Sequence, residues 1–80
     1  MPKKQSNITD EIIIRIGEKL KDLRVKAGYK SYETFAHDFD LDRKQYWRME
    51  SGANITIKSL VRILQVHNKT LKDFFKKDFD

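Results

Sequence analysis

SYETFAHDFDLDRKQYWRME, residues 31–50, reads as two short helices joined by a tight turn. Ser31, with Glu33 and Thr34 behind it, has the composition of a helix start, and Phe35, Ala36 and Phe39 form an apolar stripe. Asp40 falls where the chain must turn, and Asp tolerates the left-handed backbone conformation better than most residues. Leu41 then plugs the turn. Asp42 is the expected N-cap of the second helix, and Ser51-Gly52 ends it.

That second helix, residues 43–50, has two distinct sides. Successive helical residues lie about 100° apart, so with Arg43 at zero Tyr46 falls near ~300° and Met49 near ~240°. These two define a buried side. The opposite direction, near ~90°, is closest to Lys44, then Trp47 and Arg48. Arg43 lies at the edge but in the first turn, where a helix entering a groove reaches deepest. Arg and Lys can donate to guanine O6 and N7 in the DNA major groove. Gln45 can pair with adenine if it points outward, although its angle places it nearer the core boundary. An outward Trp47 has three readings: contact with a thymine methyl or a sugar, a hot spot for a protein partner, or half-burial under a neighbouring loop.

The rest of the chain reads as helix as well. Thr9 or Asp10 can cap a first helix, in which Ile13, Ile16, Leu20, Leu23 and Ala27 recur at helical spacing and Gly28 suits the left-handed stop. Gly17 inside that helix costs about 1 kcal/mol relative to Ala, which points either to close approach of another helix or to a tolerated weak position. Thr56 caps a helix containing Ile57, Leu60, Ile63 and Leu64, and Asn68 breaks it. Thr70 caps a last helix with Leu71, Phe74 and Phe75. No alternation supports a sheet. The expectation is an all-α, compact five-helix bundle: residues 1–8 a disordered basic tail, residues 9–80 a single domain.

Composition sets bounds on function. Eighty residues make one small domain, and 17 Lys and Arg against 12 Asp and Glu give a net charge of +5, which favours a polyanionic partner. The absence of cysteine excludes disulfides and thiolate metal sites and fits a reducing compartment. The longest apolar run is the three isoleucines at 12–14, far short of a signal peptide or membrane span. The expected location is the cytoplasm, at the nucleoid. Ile13 belongs to the core stripe, while Ile12 and Ile14 are either a dimer contact or surplus apolar residues at a helix end.

Residues 16–75 resemble the phage-repressor, Cro-like (XRE-like) helix-turn-helix family. The resemblance rests on IGEKLKDLR in the first helix, FA in the second, LDRKQYWRME across the turn and third helix, SG after it, and TIKSLVRIL in the fourth. It implies a lambda-repressor-like DNA-binding domain with the third helix in the major groove. Family base readers occupy the positions held here by Arg43, Lys44 and Arg48, with Trp47 on the same face. Family phosphate contacts fall at Ser31 and Tyr32, and at Gly52, Asn54 and Lys58. Arg24 and Glu50 stand where the family pairs an arginine with a glutamate, which implies a structural ion pair.

The pattern also departs from the family. The segment between Gly28 and Phe35 is one residue longer, and Tyr32 also suits the core. Asp40 replaces the usual turn Gly. His67 and Lys69 replace apolar residues, so a loosely packed join between the fourth and fifth helices is expected. Asp38, Asp40 and Asp42 cluster beside the reading helix; Asp42 is expected to cap, and the other two to point away.

Other chemistries find little support. His37 and His67 lack metal-ligand spacing, and Ser31, His37 and Asp38 lie too close in sequence to form a triad. No phosphate-binding or dinucleotide fingerprint is present, so no cofactor is expected. The basic, Phe-containing C-terminus reads as a final helix with a frayed tail in preference to a membrane anchor. The functional expectation is a sequence-specific DNA-binding transcriptional regulator. One reading helix covers only about a half-site, so it would act as a homodimer and repress by covering a promoter. The alternative is a protein-interaction module of the same fold, such as an antitoxin-type partner, motivated by Trp47, Ile12, Ile14 and Phe79. An enzyme is not expected.

Overall fold

A computed structural model describes the backbone of residues 3–76 and the side chains of residues 8–76. Among these residues five helices follow one another with no strand: α1 (Lys3–Lys26), α2 (Tyr32–Asp38), α3 (Arg43–Glu50), α4 (Ile57–Val66) and α5 (Leu71–Phe74). α1 packs on α2 and α3, α2 on α3, and α4 on α5. Phe79 lies outside the described residues.

Side-chain caps start four of the helices. Ser31 accepts from the Glu33 and Thr34 amides, Asp42 from Gln45 and Thr56 from Ser59. Thr70 and Asp73 form a reciprocal capping box, and that hydrogen bonding holds the Asp73 carboxyl below its usual pKa. Left-handed residues supply the stops and turns: Gly28 at φ 96°, Asp40 at 57°, Gly52 at 91° and Asn68 at 56°. The helix boundaries thus follow from local chemistry along most of the chain.

α1 is the exception. It begins at Lys3, upstream of the expected cap, so Thr9 and Asp10 lie inside it and residues 3–8 continue the helix in place of an irregular tail. Residues 3–16 contain neither Gly nor Pro, so nothing breaks a helix extending back from the packed portion.

Leu20, Phe35, Ala36, Tyr46, Met49, Leu60, Ile63, Leu64 and Phe74 form the buried core. Ile16, Leu23, Tyr29, Tyr32, Leu41 and Phe75 pack around it. Five residues expected in the apolar stripes sit outside the core cluster: Ile13 is half-buried, Leu71 is exposed, and three more lie at helix ends. Ala27 lies in the turn beyond α1, and Ile57 occupies the first turn of α4, past the edge of the core. Phe39 caps the end of α2 and is partly exposed, although its ring still meets Phe35 at 4.9 Å.

The join between α4 and α5 is tighter than its polar sequence implied. His67 stacks on Phe35 with ring centroids 5.4 Å apart and 9° between planes, and the Lys69 amide donates to the Leu64 carbonyl. An imidazole is flat enough to fill an apolar slot, at the cost of a buried Nε2 that has no hydrogen-bond partner.

Gly17 lies at a close helix contact. A Cβ there would lie 2.6 Å from the Met49 carbonyl oxygen and 2.7 Å from that of Glu50. The backbone of α1 therefore rests directly on the last turn of α3, a contact open only to a residue without a side chain.

Candidate nucleic-acid interface

The turn between α2 and α3 sets the direction of α3. Asp40 takes the left-handed conformation, and the Leu41 amide then donates to the Ala36 carbonyl at 2.8 Å. Arg62 of α4 donates to the Asp40 carbonyl at 3.2 Å, tying the turn to the far side of the bundle. Tyr46 and Met49 anchor the inner side of α3 in the core.

An ion pair braces the other end. Arg24 Nε donates to Glu50 Oε2 at 2.7 Å and Nη2 to Oε1 at 3.2 Å, a two-point contact that few other side-chain pairs can make. Nη1 donates to the Tyr29 carbonyl at 2.8 Å, which also holds the loop before α2. Both side chains are almost wholly buried. The hydrogen bond to Glu50 raises the Arg24 pKa against the opposing effect of burial. Tyr46 lies beside this pair with its hydroxyl buried, and burial, helped by the adjacent Glu50 carboxylate, pushes its pKa up.

With α3 fixed at both ends, its outward side carries Arg43, Lys44, Trp47 and Arg48, all exposed. These four line one shallow depression with Tyr32 and Glu33 of α2. Arg43 Nη1 lies 3.5 Å from Glu33 Oε2, an exposed pair that limits where the guanidinium points. Trp47 leans toward α2 with half its surface open. Tyr32 serves two sides, half-buried against the core and lining this depression.

A second depression joins Lys44, Gln45 and Arg48 to Asn54, Thr56 and Ser59. Lys58 is exposed in the first turn of α4, where the leading amides of any helix lack intrahelical partners. Gly52 is half-buried, and a Cβ on it would come within 2.9 Å of the Ile14 side chain, so packing as well as conformation calls for glycine. Ser31 Oγ is engaged in capping α2. Gln45 Nε2 reaches Ser59 Oγ at 3.5 Å, toward α4.

Two of the aspartates beside α3 have side chains engaged in separate ways. Asp42 caps α3. Asp38 accepts from the Tyr29 hydroxyl at 2.9 Å, toward the loop after α1. This hydrogen bond raises the Tyr29 pKa. Sequence spacing gave no hint of the Glu33–Arg43 pair, the Arg62 tie or the Ile14–Gly52 contact, because each joins residues from different elements. Among the described residues no group of His, Cys, Asp or Glu is placed to hold a metal ion. No described helix is long and apolar enough to cross a membrane.

The chain is similar to two curated relatives. The chain is 39% identical over 67 residues to the control protein C.MunI of a Mycoplasma species, covering 82% of this chain and 90% of that protein. It is 42% identical over 55 residues to the plasmid copy control protein CopR of Streptococcus agalactiae, covering 68% of this chain and 56% of that one. No family model and no solved structure matches the chain.

Proposed function

Because the chain belongs to the Cro-like (XRE-like) helix-turn-helix family of regulators, we propose that it binds double-stranded DNA sequence-specifically by laying α3 in the major groove. The observation carrying this reading is the division of α3: Tyr46 and Met49 inward, Arg43, Lys44, Trp47 and Arg48 outward on one exposed face. Three cations on a rigidly held helix match the acceptor-rich edges of guanine. Arg43, at the first turn, and Lys44 enter deepest, and Arg48 follows one turn later.

Ser31, Tyr32, Gly52, Asn54 and Lys58 are assigned to the phosphate backbone. Such contacts set register and raise affinity without reading sequence. Arg24 and Glu50 take no DNA contact; they hold α3 in place. A single α3 covers only a half-site of a few base pairs, so the working unit is a homodimer on a two-fold symmetric site. Covering a promoter in this way makes the protein a transcriptional repressor, acting in the cytoplasm at the nucleoid and without a cofactor or catalytic role.

Fluorescence anisotropy on DNA selected from a random pool tests the assignment. Arg43→Ala and Lys44→Ala should each cost about 1–3 kcal/mol on the selected site and relax the preference at one base pair. Unchanged binding by both variants would remove α3 as the reading element. Sedimentation with and without DNA tests the dimer, and a strict monomer in both conditions would refute it.

A further inference from the structure

We propose that Trp47 reads the C5-methyl group of a thymine, making it a specificity-determining residue of the DNA site; the inference rests on the proposed placement of α3 in the major groove.

Trp47 is the one large apolar side chain on the outward face of α3, and it is 50% exposed. It is flanked on its own helix by Lys44 and Arg48 and shares its depression with Arg43, Tyr32 and Glu33. Those three cations bring a polyanion onto this surface and hold the indole close to it. Among the base edges of the major groove the apolar group is the thymine methyl; the other features are hydrogen-bond donors and acceptors. An indole carried into that groove therefore loses water favourably only over a thymine. Tyr32 supplies a second wall, because its partly buried ring lines the same hollow. The hollow thus combines the apolar rings of Trp47 and Tyr32 with the cations Lys44, Arg48 and Arg43, the last paired with the Glu33 carboxylate, which suits a methyl group next to the phosphate chain.

Replacing thymine with deoxyuracil, one position at a time across the selected site, removes only the methyl and keeps the pairing. Wild-type protein should lose about three- to fivefold in affinity at one thymine per half-site, the scale of one methyl group taken out of water. Trp47→Ala should bind the thymine site more weakly and show no further loss on the deoxyuracil site; Trp47→Phe should restore part of both effects. Circular dichroism of each variant checks that the fold is kept, and the wild-type scan does not depend on any variant folding. A flat wild-type scan on DNA that Lys44→Ala binds less well would overturn the thymine assignment alone. A Trp47→Ala loss that is the same with and without the methyl would also overturn it, since the indole would then touch sugar or phosphate. Failure to select any DNA would overturn the DNA-binding reading, and the thymine assignment with it.

Discussion

Replacing Gly17 by alanine sets two effects of opposite sign against each other. In an exposed helix the change should stabilise by about 1 kcal/mol, because alanine is the better helix former. Here the added methyl would sit 2.6 Å and 2.7 Å from two main-chain carbonyl oxygens of α3. Neither oxygen can swing aside as a side chain would, so α1 must lift from α3 by roughly half an ångström. Overpacking of this kind costs about 1–3 kcal/mol, and a rigid backbone neighbour places this site toward the upper end. The net expectation is a loss of about 1–2 kcal/mol. Urea unfolding followed by far-ultraviolet circular dichroism reads it directly. With a slope of about 1 kcal/mol per molar for a small domain, the midpoint should fall by about 1–2 M at unchanged slope. A midpoint that rises by about 1 M would mean that helix propensity alone governs the site and that α1 does not rest on α3. Gly28→Ala is the control, since its left-handed φ of 96° brings strain but no atom within 4 Å of the new Cβ. Because α1 supports the last turn of α3, Gly17→Ala should also weaken DNA binding beyond its effect on the folded fraction.

The Arg24–Glu50 pair predicts asymmetry: Glu50→Gln should destabilise by about 3 kcal/mol by leaving the buried guanidinium uncompensated, whereas Arg24→Met with Glu50→Leu should recover much of the loss. Thermal melts of the single and double variants measure both; a single variant as stable as wild type would contradict the buried pairing. His67 predicts a pH dependence, because burial, helped by nearby Lys69, lowers its pKa from 6.5. Protonation therefore favours the unfolded chain: its contribution is fully present above 6.5 and is lost as the pH falls toward the lowered folded value. Urea midpoints at about pH 7.5 and about pH 5.5 should separate for wild type and separate less for His67→Phe, and identical separations would refute the assignment. Lys58→Ala should weaken all DNA sequences alike and reduce the salt slope by about 1, while a sequence-dependent loss would make Lys58 a base contact.

Much of the local structure is legible in the sequence because it depends on neighbours along the chain. Ser31, Asp42, Thr56 and Thr70 cap their helices through hydrogen bonds two or three residues away. Gly28, Asp40, Gly52 and Asn68 end or turn helices through backbone preferences of their own. The two sides of α3 follow from the 100° helical step, so the inward Tyr46 and Met49 and the outward cations could be assigned without a fold. The start of α1 was harder to read, because residues 3–10 offer several weak caps and no breaker.

Tertiary structure decided what depends on residues distant in sequence. Whether Gly17 is a weak position or a contact is settled by two carbonyl oxygens of α3, 32 or more positions away in the chain. The polar His67 packs against the core because Phe35 offers a flat apolar partner. Arg43 has its direction limited by Glu33 of another helix, and Trp47 shares a hollow with Tyr32. Periodicity tells which way a side chain points from its own helix. Only the packing of helices against each other determines what it finds there.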